Sequence, residues 1–176
     1  MKRLSWAGNL FGHKAVATAC LGADCAVMLH LMAQASPEAR VFMVAPGDLS
    51  SEALEAVAEI RNKMGLEVTL LDPTAPPSQI QSGRNSSLDS GEALSHALED
   101  AFCWISDSRA DQPLTHPQGA VLTRLEDGLY QLNPLFDWSQ AEVEAYRAQH
   151  DLPRPAHGGW RAAAQGQQAF VARHAG

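Results

Sequence analysis

The residues of this chain whose types and spacing could do chemistry are three cysteines, a glycine turn and an arginine. Cys20 and Cys25 flank the loop Cys20-Leu-Gly-Ala-Asp-Cys25, which runs directly into the apolar stretch Ala26-Val-Met-Leu-His30. Gly22 lets a backbone approach an anion closely, and the amides that open the following helix, at Ala23 and Asp24, can point at it. A thiolate at Cys20 or Cys25 would gain from the same helix start, which leaves a nucleophilic or redox role open. The alternative is burial, because free cysteine is among the most buried residue types and a helix leaning on a sheet covers both. Two cysteines four residues apart, without further Cys or His nearby, supply too few ligands for a metal. Arg109, in Ser106-Asp-Ser-Arg-Ala-Asp-Gln112, is the best anion contact, since a guanidinium binds phosphate or sulfate in two-pronged fashion; Arg84 and Arg124 are its assistants. Its alternative is a structural ion pair with Asp107 or Asp111. His30 lies inside an apolar helix and is a packed histidine rather than a ligand.

The elements that must position these groups follow from the apolar pattern. Lys14-Ala-Val-Ala-Thr-Ala19 is a short buried strand, followed by the Gly22 turn and a helix from Ala23 to Gln34. Val41-Phe-Met-Val44 is a second strand, and Leu54, Val57, Ile60 and Met64 mark a helix that Ser50 or Ser51 caps and Gly65 ends. Leu66 to Leu71 is a third strand and Phe102-Cys-Trp-Ile105 a fourth, with a helix from Ser90 to Ala101 between them. Trp104 and Trp138 are assigned to packing rather than to base stacking. The turn Glu126-Asp-Gly128 joins two short strands, and Ser139 with Glu142 forms a capping box for the helix Gln140 to His150. Residues 72–87, rich in Pro, Ser and Gln, form a long mobile loop, either a lid or a dispensable linker. The tail after residue 155 is Ala- and Gln-rich and expected to be helical. Strands alternating with helices imply parallel βαβ units, whose ligands bind beyond the carboxyl ends of the strands.

At 176 residues the chain is the size of one globular domain. A net charge of −7 argues against nucleic acid or an anionic membrane as partner, yet leaves room for a small anionic ligand held by local dipoles. No N-terminal run reads as a signal peptide and no apolar stretch is long enough to span a bilayer, so a cytoplasmic location is expected. Three cysteines are too few for a disulfide framework.

Several segments together resemble the sulfonucleotide (phosphoadenylyl-sulfate and adenylyl-sulfate) reductase family. Cys20 to His30 is similar to its phosphate-binding segment S-F-G-A-E-D-x-V-L-L-H, retaining Gly22, Ala23, an acid at Asp24, Leu29 and His30. Leu94 to Leu98, Trp104-Ile105 and Arg109-Ala-Asp-Gln112 follow the order P-L-x-x-A-L then A-W-I-T-G-L-R-R-D-Q, and Asn133-Pro-Leu135, Asp137-Trp138 and Leu152-Pro153 resemble K-V-N-P-L-x-D-W and the later L-P. The likeness spans about residues 14 to 155, in one chain order. It implies the adenine-nucleotide α-hydrolase-like (PP-loop) fold, a parallel sheet of about five strands with helices on both faces. The expected organisation is a reductase-like domain over 1–155 and a tail over 156–176.

The same resemblance places the family's chemistry where this chain lacks it. The paired cysteines before R-K-V-E-P-L align with Asn85-Ser86, and the second cluster pair would lie in Arg154-Pro-Ala-His-Gly-Gly-Trp160. An amide and a hydroxyl do not replace cluster thiolates. The E-C-G-L-H that carries the nucleophilic cysteine has no counterpart in residues 165–176. Two basic positions are Ala110 and Gln131. The leading expectation is a degenerate family member in sulfur assimilation that keeps Cys20, Gly22, Ala23, Asp24 and Arg109 for an adenine nucleotide: AMP, adenosine phosphosulfate or its 3′-phosphorylated form. No catalytic residue, iron–sulfur cluster or metal is assigned, and a protein partner in sulfur metabolism is open. Rival readings are a reductase using a thiol or subunit in trans, an adenylating ATP pyrophosphatase, which the departure from S-G-G-x-D-S weakens, and an interaction module without ligand.

Overall fold

A computed structural model describes residues 1–19, 23–44, 51–71, 90–112, 119–153 and 170–171. Cys20, Gly22, Arg84, Asn85, Ser86, the 72–87 loop and most of the tail therefore lie outside the described residues. The chain runs α1 (Lys2–Phe11), a 3₁₀ turn, β1 (Ala15–Ala19), α2 (Ala23–Ala35), β2 (Arg40–Val44), α3 (Ser51–Met64), β3 (Val68–Leu71), α4 (Ser90–Leu98), β4 (Cys103–Ile105), β5 (Leu122–Arg124), β6 (Tyr130–Leu132) and α5 (Gln140–Gln149).

The six strands among the described residues form one sheet in the order β3-β2-β1-β4-β6-β5. Five are parallel, and β5 runs antiparallel to β6, with Leu122 opposite Leu132. The expected five-stranded parallel sheet is thus present with an antiparallel strand added at one edge. Every residue of β1 is buried, which a parallel strand covered on both faces requires. From β1 the chain steps outward through β2 and β3, then returns to place β4 on the other side of β1. This reversal makes the switch point beyond Ala19 and Ile105 the candidate crevice, the position where open α/β sheets bind ligands.

Helix α2 is apolar around nearly its whole circumference because it lies between the sheet and other helices, with Cys25, Val27, Met28, Leu29 and Met32 all buried. His30 is the polar member of this stretch, and its ring packs against Tyr146 and His150 of the α5 region, with Nδ1 3.1 Å from the Tyr146 hydroxyl. It is a packing histidine, as its apolar surroundings in the sequence suggest. The opposite sheet face carries a smaller cluster in which Trp104 is fully buried among Val16, Leu94, Leu98 and Phe170. Phe170 meets the Trp104 ring edge-on at 5.4 Å between centroids, so a tail residue contributes to this core.

Helix α1 has no counterpart in the sequence reading. It is fastened by Arg3, whose guanidinium grips Asp137 with contacts of 2.6 and 2.7 Å and also donates to the Pro134 carbonyl. At Gly8 it comes so close to the α2–β2 connection that an added Cβ would lie 2.4 Å from Glu38 Oε1 and 2.5 Å from Ser36 Oγ. Glu38 can swing aside, but Ser36 is fully buried. Overpacking costs roughly 1–3 kcal/mol and the gain in helix propensity returns about 0.5–1, so Gly8→Ala is expected to lower stability by about 1 kcal/mol. Urea unfolding checks this, and Gly8→Ala combined with Ser36→Ala should recover most of the loss.

Candidate functional site

The candidate crevice between β1 and β4 is bordered by three described segments. The first is the start of α2, where Asp24 stands in the first turn. The second is the segment after β4, whose Ser106, Asp107 and Arg109 are buried although polar. Its path is set by backbone bonds from Ser106 N–H to Leu132 O at 3.0 Å and from Ala110 N–H to Phe136 O at 2.9 Å. The third is the start of α5, fixed by a full capping box between Ser139 and Glu142, which the spacing Ser-x-x-Glu predicts.

Arg109 joins all three. Its Nε donates to Asp111 Oδ1 at 2.8 Å, its Nη1 donates to Asp24 Oδ1, and its Nη2 donates to Gln140 Oε1 at 2.8 Å. Gln112 adds a second tie, accepting the Arg109 backbone N–H at 3.0 Å and donating to Asp24 Oδ2 at 3.0 Å. Asp111 in turn accepts the Gln140 backbone N–H at 3.2 Å, at the open first turn of α5. Asp24 and Arg109, 85 residues apart in the chain, are thus in direct contact. Arg109 makes the ion pair with Asp111 that is its alternative in the sequence, and it makes a more buried one with Asp24. Gln112 and Gln140 escape a sequence-level search for charged anion contacts because an uncharged amide carries no such signal. Ala23 opens α2, as expected.

The two described thiols belong to the core. Cys25 and Cys103 are both buried in the larger core, and burial pushes the Cys103 thiol up to about 12, far from the thiolate form that nucleophilic attack needs. Among the described residues no cluster of three or more His, Cys, Asp or Glu could hold a metal ion. Asn85, Ser86 and residues 154–160, where the resemblance puts cluster cysteines, lie outside the described residues and carry no cysteine in the sequence.

The Arg109 contact holds the Asp111 carboxyl below the usual carboxylate range, as Arg40 does for Asp100 and Arg3 for Asp137. A depressed carboxyl contributes stability that is present above its unfolded value, about 4, and lost as pH falls through the lowered folded value. Burial, with His150 second, likewise lowers His30, whose contribution is lost on acidification below about 6.5. Both effects have the same sign. The urea midpoint is expected to fall modestly from pH 7 to 5 and further from pH 5 to 3; a constant midpoint below pH 5 would show that these pairs do not stabilise the fold.

Residues 14–156 match the profile of the phosphoadenosine phosphosulfate reductase domain. The chain belongs to this family. A phosphoadenosine 5′-phosphosulfate reductase from Synechococcus is 26% identical over 166 residues, covering 85% of this chain and 71% of the relative. An adenosine 5′-phosphosulfate reductase from Salinibacter ruber is 28% identical over 167 residues, covering 88% of this chain and 66% of the relative. A crystal structure of phosphoadenylyl-sulfate reductase from Candida auris in a phosphate complex superposes with a TM-score of 0.61 at 18% identity, over 91% of this chain and 87% of that one. That likeness is one of fold, and it agrees with the PP-loop architecture expected of a sulfonucleotide reductase domain. No helix among the described residues is long and apolar enough to cross a membrane.

Proposed function

We propose that this reductase-family domain binds an adenine nucleotide of the sulfonucleotide class and acts as a regulatory or partner protein in sulfur assimilation, without cluster-dependent or cysteine-dependent reduction. The observation that carries the reading is the placement of the two described thiols, together with the absence of cysteine at the aligned cluster positions. Cys25 and Cys103 serve the core, Cys103 is held in its protonated form, and positions 85, 86 and 154–160, where cluster cysteines would align, carry none. The nucleotide's phosphate or sulfate belongs at the loop of Cys20 and Gly22 and at the helix start of Ala23 and Asp24, within the frame that Arg109 completes. Helix-start amides suit that anion in a chain of net charge −7, where a diffuse basic surface is not the source of affinity. A second reading is favoured by the names of the relatives: a reductase whose thiol or subunit is supplied in trans.

The test is a calorimetric panel of AMP, ADP, ATP, adenosine phosphosulfate and its 3′-phosphorylated form, with iron and sulfide analysis of the same protein after anaerobic reconstitution. At least one nucleotide is expected to bind saturably, and iron is expected to stay well below stoichiometric. A stable stoichiometric cluster would reject the reading of positions 85, 86 and 154–160. Absence of binding by every nucleotide would leave an interaction module in place of a nucleotide protein.

A further inference from the structure

We propose that Arg109 is the positioning residue of this site: it locks the start of α2 to the start of α5 and cancels the Asp24 charge, while the ligand's phosphate or sulfate meets the α2 start and not the guanidinium. The inference rests on the reading of the crevice as a nucleotide site and deepens it.

Three observations carry it. First, the guanidinium is committed: Nε, Nη1 and Nη2 each donate to a protein acceptor, and with the side chain only 4% exposed almost no face is left for a ligand. Secondly, among the described residues the local charge is not in surplus, since the Arg109 guanidinium meets two carboxylates, Asp24 and Asp111. An arginine that recruits an anion should bring net positive charge to it, and this one does not. Thirdly, the acceptors come from three separate elements: Asp24 from α2, Asp111 from the segment after β4, and Gln140 from α5. Gln112 repeats the link between the β4 segment and Asp24 through an uncharged amide, which adds geometry without adding charge. An uncompensated Asp24 in the first turn of α2 would oppose an incoming anion at the very amides expected to hold it. Pairing removes that opposition.

The test uses the whole chain as wild type, Arg109→Met, Arg109→Lys, Asp24→Asn and the double variant Asp24→Asn with Arg109→Met. Amide hydrogen exchange is followed at residues 24–27 and 140–143 without nucleotide, and AMP and adenosine phosphosulfate affinities are measured by calorimetry. Loss of a charged hydrogen bond corresponds to about tenfold or more, so Arg109→Met should quicken exchange by at least that factor at both helix starts and weaken nucleotide binding similarly. The double variant should bind about threefold or more tighter than Arg109→Met, because the unpaired carboxylate is gone along with its partner, while keeping the quickened exchange that loss of the lock brings. Arg109→Lys keeps the charge but not the fork; it should quicken exchange at 140–143 more than at 24–27, and it supplies the exchange test if Arg109→Met does not fold. A double variant as weak as Arg109→Met would make the guanidinium a direct ligand contact and overturn the proposal. Exchange changes confined to the neighbourhood of residue 109 would overturn it as well. If the wild type binds no nucleotide, the nucleotide reading fails while the exchange measurements still decide whether Arg109 couples the two helices.

Discussion

Arg109→Met is expected to lower the unfolding free energy by about 3–5 kcal/mol, the cost of breaking a buried ion pair by removing one partner. The magnitude follows from burial. The Arg109 and Asp24 side chains are 4% and 17% exposed, so their charges are poorly solvated and depend on each other. Asp111, at 45% exposed, recovers water when its partner leaves and adds little to the loss. Urea unfolding of wild type, both single variants and the double variant forms a cycle that isolates the Asp24–Arg109 coupling. A loss under about 1 kcal/mol for Arg109→Met would place the pair with ordinary surface ion pairs and remove its structural importance.

Trp104→Ala should be comparably damaging. Truncating a large aromatic side chain in a core costs about 3–5 kcal/mol, and Trp104 is fully buried where β1, β4, α4 and the tail meet. Its indole N–H also donates to Thr18 Oγ1 at 2.8 Å, tying β4 to β1 beside the crevice. Trp104→Phe separates the two contributions: it keeps most of the packing and forgoes the hydrogen bond, whose net worth is about 1 kcal/mol. Because Phe170 packs edge-on against this ring, Trp104→Ala should also expose the chain around Phe170 to proteolysis at concentrations of urea that leave the sheet intact. A loss below 2 kcal/mol, or an unchanged tail, would mean that the second core contributes less than its burial indicates.

The fold was legible largely because its elements are marked by local chemistry. Val16 and Ala17, Val41, and Cys103 to Ile105 form short apolar runs separated by helical patterns, and such runs are the mark of a parallel sheet buried on both faces. Gly65 ends α3 with φ at +66°, a backbone state that favours glycine, and Ser139 with Glu142 caps α5 as their spacing requires. Helix α1 was not legible, because Gly8 looks like a helix breaker in the sequence while in space its missing side chain makes room for Ser36. The antiparallel β5 was visible as half of a hairpin, but its place as a sixth strand depends on pairing that local pattern does not encode.

The site divides in the same way. Asp24 and Arg109 stand out by residue type, yet a guanidinium fork suits a phosphate and a carboxylate equally, so type alone does not say which it meets. The answer lies in long-range placement, which brings Asp24 and Gln140 to Arg109 across 85 and 31 residues. Cys25 and Cys103 follow the same logic. Either could be reactive by type, and burial assigns both to the core.

The most direct test of the account is sulfite release. The chain is incubated with adenosine phosphosulfate or its 3′-phosphorylated form and a reduced thioredoxin-type donor, and sulfite is measured alongside nucleotide bound in the same mixture. Saturable nucleotide binding is expected, with sulfite no higher than in the donor-only control, because Cys25 and Cys103 are core residues and the aligned cluster positions hold no cysteine. Catalytic sulfite release dependent on both chain and donor would contradict it and establish a reductase that takes its thiol in trans.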